Sequence, residues 1–139
     1  DHKEHRYIEE SGTMNLMLLI GDTFVTPPLT DRILAGVTRR SIITIIKEQG
    51  WTIEERPVTV DEIVEAAGSG ALKEAFGMGT AAVVSQIDTI GHLGTNYSIP
   101  TPTDGKAMEI KRLLNDIRLG RTLDTHRWMM DAVIPATAE

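Results

Sequence analysis

Three short segments of this sequence contain residue types whose spacing suits binding or catalysis. The first is Glu10-Ser11-Gly12-Thr13-Met14-Asn15, which Glu9 directly precedes. Adjacent residues on a strand point to opposite faces, so the two carboxylates do not form an acid/base pair. If Glu10 faces inward, it needs a cationic or hydrogen-bonding partner, because burying an unpaired carboxylate is costly. The alternative is a solvated surface residue.

The other two segments contain glycine and are candidates for binding an anion. Gly36 precedes a predicted helix, whose first N–H groups lack internal partners and carry positive potential. The alternative is that Gly36 only enters a helix that Thr38 caps. The positive charges of Arg39 and Arg40 are unfavourable at the start of a helix, and an anion bound nearby would explain them. The alternative is that both side chains are solvated at the surface. Gly77-Met78-Gly79 before Thr80 is compatible with an anion-binding nest of N–H groups, or with a tight hairpin turn.

Composition excludes several other classes of function. The 139 residues fit one domain with a core, and the net charge of -6 disfavours general binding to nucleic acid or anionic membranes. The absence of Cys excludes disulfides, thiolate zinc sites and thiol catalysis. His spacing supports no metal site, and the longest apolar run, Leu16–Ile20, is far short of the ~20 residues of a membrane span.

The elements that would position these segments alternate between strands and helices. Met14–Ile20 and Phe24–Thr26 predict a hairpin around Gly21-Asp22. Gly36–Gln49 has helical spacing, although its β-branched run 42–46 makes a strand the competing interpretation. Trp51–Pro57 predicts another strand.

The second half of the chain continues this pattern. A capping box is expected at Thr59, with Glu62 reaching back, and it opens a helix that ends at Gly68 or Gly70. We further expect strands 73–76 and 80–87 around the 77–79 loop, a hairpin within 87–99 and an amphipathic helix from Ala107 to Ile117. Interleaved strands and helices indicate one α/β or mixed α+β domain over residues 1–139.

Taken in order, these segments resemble the branched-chain amino-acid aminotransferases, which are pyridoxal-phosphate enzymes of the D-alanine-aminotransferase-like fold. The resemblance extends from about Tyr7 to Met129. The segments that carry it are 10–15, 25–29, 33–39, 53–56, 74–81 and 126–129. It implies that the chain is the C-terminal part of the large pseudo-barrel domain of such an enzyme.

The resemblance also implies roles for individual residues, with pyridoxal 5′-phosphate as cofactor. Glu10 would contact the pyridinium nitrogen, Thr13 would stand near the Schiff base and the substrate, and Leu34 would pack on the ring. The 5′-phosphate would be held by Gly36, Val37, Thr38, Gly79 and Thr80. The N–H of Ala81 would donate to the substrate carboxylate.

The catalytic Lys of the family pattern is missing, as are the upstream Arg and Tyr that complete the family's phosphate and carboxylate contacts. The family's Schiff-base Lys lies well upstream of the Glu-x-Gly-Thr motif, whereas this chain has only Lys3, close to Glu10, and Lys47, Lys73, Lys106 and Lys111 after it. We therefore expect no catalytic residue here, with the N-terminal small domain and the Lys strand absent. The chain would be a fragment, inactive alone.

The expected function is transamination of leucine, isoleucine or valine with 2-oxoglutarate. Alternatives are a D-amino-acid aminotransferase, an aminodeoxychorismate lyase, or a non-catalytic domain that binds phosphate or a partner. Expected partners are branched-chain amino acids, 2-oxo acids and the missing N-terminal part, in a homo-oligomer such as a dimer. No metal, nucleic acid or membrane is expected, and the location would be cytoplasmic because no targeting segment is visible.

Overall fold

A computed structural model describes residues 1–131 of the chain. It contains eight strands and three helices within that range. The strands are β1 (Glu10–Ser11), β2 (Met14–Ile20), β3 (Thr23–Thr26), β4 (Thr52–Glu55), β5 (Leu72–Gly79), β6 (Val83–Gln86), β7 (Thr89–His92) and β8 (Thr95–Ser98). The helices are α1 (Val37–Glu48), α2 (Val60–Ser69) and α3 (Lys106–Arg118).

Six strands form one sheet in the order β4-β3-β2-β5-β6, and β1 pairs with the start of β2. The β2–β3 hairpin, the helix α1, the β7–β8 hairpin and the helix α3 all form as predicted. β3 and β4 pair in parallel because α1 carries the chain across between them, whereas β2 and β5 are antiparallel. The fold is mixed α+β.

The central strand β2 is buried on both faces. Met17 and Leu19 point toward α1 and α3, while Leu16 and Leu18 belong to the cluster beneath α2. A strand covered on both sides needs a continuous apolar run, which explains why this segment shows no alternation.

The prediction of a loop at Gly77-Met78-Gly79 is wrong. These residues continue β5, and the turn follows at 80–82. The glycines serve close packing: a Cβ at Gly77 would lie 2.7 Å from Met14 Cε, and one at Gly79 would lie 3.1 Å from Met14 Cγ. The next strand accordingly begins at Val83 rather than at residue 80.

The capping box at α2 is half formed. Thr59 Oγ1 accepts from the Glu62 N–H at 3.1 Å, as predicted, and Gly70 ends the helix in the left-handed conformation. Glu62 does not reach back, because its carboxylate takes both Nη atoms of Arg56 at 2.6 and 3.0 Å. A bidentate pair with a guanidinium makes two bonds in which both partners are charged, whereas a backbone N–H would offer this carboxylate one bond from a neutral donor. Among residues 1–131, no helix is long and apolar enough to cross a bilayer.

Candidate functional site

The carboxylate of Glu10 points toward other residues of the protein rather than toward solvent. Glu10 lies opposite Asn15 in the β1–β2 pair, and its Oε1 accepts from Asn15 Nδ2 at 3.0 Å and from the Leu34 N–H at 3.2 Å. Both donors are neutral. Within residues 1–131, Oε2 accepts no hydrogen bond and is left for another donor.

The loop before α1 is fixed to the same strands. Asn15 Nδ2 donates to the Leu34 carbonyl at 2.9 Å as well as to Glu10. A Cβ at Gly36 would overlap Asn15 Oδ1, so glycine lets the loop approach this amide without displacing it. Gly36 is the N-cap residue, and the side chain of Thr38 does not cap the helix.

The first turn of α1 differs electrostatically from those of the other two helices. The helix α2 has the Thr59 cap and acidic residues in its first turn, and a buried Glu74 carboxylate accepts from the first N–H groups of α3. In α1 the first turn contains no acid, and the N–H groups of Val37 and Thr38 have no partner among residues 1–131. This end of the helix is open to an anion.

The adjacent arginines have different roles. Arg39 is 4% exposed, and its Nη2 donates to Glu55 Oε2 at 2.9 Å and to the Pro27 carbonyl at 3.0 Å, so the surface interpretation is wrong for this residue. Its Nε has no partner in the described part of the chain. Arg40 is exposed and lies beside the open end of α1.

Residues from both predicted anion segments line one cavity of about 600 Å³. Val37 and Thr38 lie at its α1 side and Thr80 at the end of β5. Three arginines also line it, Arg40, Arg118 and Arg127, and no carboxylate does. None of these arginines forms an ion pair within residues 1–131. In a chain of net charge -6, this concentration of unpaired positive charge favours an anionic ligand.

Other predicted site residues lie outside this cavity. Gly79 is extended and packs on Met14. Thr13 and Ala81 are exposed in the turns after β1 and β5, and Leu34 is 71% exposed. Glu10 is hydrogen-bonded to the loop 34–36 that enters α1, and it lines a separate cavity of about 300 Å³ at the other face of the sheet.

Sequence reasoning had considered an anion near Arg40, but it missed Arg118 and gave no role to Asn15, Arg127 and Trp128. A turn built on Asp124 brings the last two to the cavity: the N–H groups of Met129 and His126 donate to its carboxylate and hold the pKa of Asp124 below its usual range. The His126 ring stacks on Trp128 at 4.1 Å, and His126 Nε2 lies 3.3 Å from a carboxylate oxygen of Glu48 in α1. The only signal for these residues in the sequence was the resemblance over 126–129. The role of Asn15 depends on its bond to the Leu34 carbonyl, which is 19 residues away in sequence, and Arg118 is brought to the cavity by the position of α3, so neither role had a local signal.

The chain is similar to known proteins in both sequence and structure. The profile of the family described as amino-transferase class IV matches residues 2–90. The chain is 37% identical over 134 residues to the branched-chain-amino-acid aminotransferase of Mycolicibacterium smegmatis and 39% identical over 132 residues to branched-chain-amino-acid aminotransferase 2 of Bacillus subtilis. These alignments cover 93% and 92% of the chain and 36% of each relative, so the chain spans about a third of their length. The crystal structure of the Escherichia coli branched-chain amino acid aminotransferase superposes with a TM-score of 0.71 at 25% identity, covering 88% of the chain and 37% of that structure.

Proposed function

Because the chain belongs to the class IV aminotransferases, we propose that it carries the cofactor-binding part of a branched-chain amino-acid aminotransferase. One observation carries the proposal: the open end of α1 and Thr80 line the same arginine-rich cavity, and the loop entering α1 is bonded to Glu10. The named relatives support the branched-chain substrates. Class IV aminotransferases are pyridoxal-phosphate enzymes, and the residues of this site fit that group.

The cavity supplies the donors that a phosphate dianion needs. Val37 and Thr38 offer backbone N–H groups at the positive end of α1, Thr80 offers a hydroxyl, and Arg40 and Arg127 add charge. Each hydrogen bond to a charged group contributes roughly 1.5–3 kcal/mol, so donors from both sides are needed for firm binding. These residues would bind the 5′-phosphate.

Glu10 would hold a proton at the other end of the cofactor. Its Oε1 is used by Asn15 and Leu34, while Oε2 remains to accept from a protonated ring nitrogen. When bound, pyridoxal 5′-phosphate supplies an electron sink for carbanion chemistry at the amino-acid α-carbon. Glu10 would favour the charged ring, and Leu34, which is 71% exposed beside it, would offer an apolar surface to the ring.

The remaining catalytic groups would come from outside this chain. None of the lysines, all within residues 1–131, lines the cavity, and Lys73, Lys106 and Lys111 are bonded elsewhere. We propose that an upstream segment of the complete enzyme supplies the Schiff-base Lys and the small domain. That segment, or a second subunit of a homo-oligomer, would cover the exposed Val37. Thr13 and Ala81 are proposed to face the substrate once the site is complete.

Phosphate-dependent ligand binding tests the proposal. Pyridoxine 5′-phosphate retains the ring and the phosphate but has no aldehyde, so its binding does not require a Lys. Titration calorimetry on the chain should show binding that Thr80→Val weakens about tenfold, because one charge-assisted bond is lost. The matched control Thr95→Val, exposed on β8, should change nothing. Equal affinities for Thr80→Val and the parent chain would refute the phosphate site.

The activity itself is tested on the full-length gene product. It should transfer the amino group of leucine to 2-oxoglutarate, whereas the chain as given should not. After addition of pyridoxal 5′-phosphate, borohydride should label no single lysine of the chain. Stoichiometric labelling of one lysine would show that the chain already contains its catalytic residue.

A further inference from the structure

Asn15 lies at the junction of the two ends of the site. Its side chain is in the sheet beneath the start of α1, and the residue is 5% exposed. Nδ2 donates to Glu10 Oε1 at 3.0 Å and to the Leu34 carbonyl at 2.9 Å. The Leu34 N–H donates to the same Glu10 oxygen at 3.2 Å, which closes a ring of hydrogen bonds among three residues.

We propose that Asn15 is a positioning residue that fixes the Glu10 carboxylate and the loop 34–36 relative to one another. This inference rests on the proposed function. In that function Asn15 sets the distance between the Glu10 carboxylate, which holds the cofactor ring nitrogen, and the N–H groups of α1, which hold the phosphate. The loop continues directly into Val37, so a shift at Leu34 moves the open end of α1.

The chemistry of the ring explains why the residue is an amide. Both neighbours of Nδ2 are acceptors, one a carboxylate oxygen and one a backbone carbonyl. Only a side chain with two N–H groups satisfies both from one atom. Aspartate has the same shape but would place an acceptor against two acceptors. Leucine would remove the donor to the Leu34 carbonyl and leave Glu10 Oε1 with the Leu34 N–H alone.

Gly36 provides a second contact from the loop side. Its φ of -61° and ψ of 135° are accessible to any residue, so the backbone does not require glycine. A Cβ at this position would instead overlap Asn15 Oδ1. The loop is therefore packed against the same amide that bonds Leu34.

The first experiment needs no ligand. Hydrogen exchange of the Leu34 amide should accelerate at least tenfold in Asn15→Asp and Asn15→Leu. It should be unchanged in Asn96→Asp, whose side chain is exposed on β8. If either Asn15 variant fails to fold, Gly36→Ala tests the same contact from the other side. Unchanged exchange at Leu34 in the folded variants would overturn the proposal.

The second experiment compares a ligand that spans both ends with ligands that occupy one. In Asn15→Asp, the Kd of pyridoxine 5′-phosphate should rise at least tenfold, while the Kd values of pyridoxine and of inorganic phosphate should each rise less than threefold. Gly36→Ala should reproduce this pattern, and it should have no further effect in an Asn15→Ala background, where the overlapping oxygen is gone. Equal proportional losses for all three probes would indicate only general destabilisation and contradict the proposal.

The two experiments also separate this inference from the function on which it rests. If the parent chain binds pyridoxine 5′-phosphate no better than inorganic phosphate, the proposed cofactor site fails. Faster exchange at Leu34 in Asn15→Asp would still establish the positioning contact in that case.

Discussion

The carboxylate of Glu74 anchors α3, and its removal should destabilise the chain measurably. Glu74 is 4% exposed, and its two oxygens accept from the N–H groups of Lys106 at 2.8 Å and Ala107 at 2.9 Å. The N-cap of α3 is Gly105, which has no side chain to take that role. Each of the two bonds joins a charged acceptor to a donor at the positive end of a helix.

The expected magnitude follows from these two bonds. A hydrogen bond to a charged group contributes roughly 1.5–3 kcal/mol. Glu74→Gln keeps one oxygen but turns an NH₂ group toward the other backbone N–H, so the free energy of unfolding should fall by about 1.5–3 kcal/mol. Glu74→Ala removes both acceptors and should cost about 3 kcal/mol or more. The control Glu65→Gln, exposed on α2, should change it by less than about 0.5 kcal/mol.

Urea unfolding followed by circular dichroism measures these differences, and the slope with urea should be unchanged. Loss of helix content in Glu74→Ala should be confined to α3, as read by amide exchange. The reasoning is refuted if Glu74→Gln is as stable as the parent chain, or if it loses no more than the Glu65 control.

Two further predictions concern packing and pH. The pKa of Glu62 lies below its usual 4.5 because Arg56 donates to it, so this pair stabilises the fold above about pH 4.5 and the contribution is lost as the pH falls further. Glu62→Gln should therefore lower the unfolding free energy more at pH 7 than at pH 3 in denaturant titrations, and an equal loss at both pH values would contradict this. Gly77→Ala should destabilise the chain by about 1–2 kcal/mol because its Cβ would overlap Met14 Cε and Sδ, and it should cost less in a Met14→Ala background, which removes those two atoms and keeps Met14 Cβ at 3.2 Å. Additive effects in that double-mutant cycle would exclude the packing explanation.

Local patterns were sufficient to predict most of the fold. The apolar run of β2, the helical spacing of α1 and the amphipathic face of α3 are each visible within a short stretch of sequence. The error at Gly77-Met78-Gly79 arose because glycine marks turns as well as close packing, and Met14, which decides between the two, is remote in sequence.

The site was less predictable, for the same physical reason. Val37, Thr38 and Thr80 could be selected because open helix ends and glycine-flanked hydroxyls are local features. The partner of Glu10 could not be selected from the sequence. Asn15 acquires its role only when β1 pairs with β2 and the loop 34–36 folds over both strands. Arg118 likewise reaches the cavity only through the packing of α3.

The central position of β2 also bears on the order in which the chain folds. β2 and β3 form a short hairpin, whereas β2 and β5 are separated in sequence by β3, α1, β4 and α2. Closing that long loop carries a larger entropic penalty and should occur later in folding. The two walls of the arginine-rich cavity are brought together only by this late step. One wall is the start of α1, which follows the hairpin, and the other is Thr80 at the end of β5. An anion that binds there recognises only the fully paired sheet, and in excess it stabilises the native state by RT ln(1 + [L]/Kd).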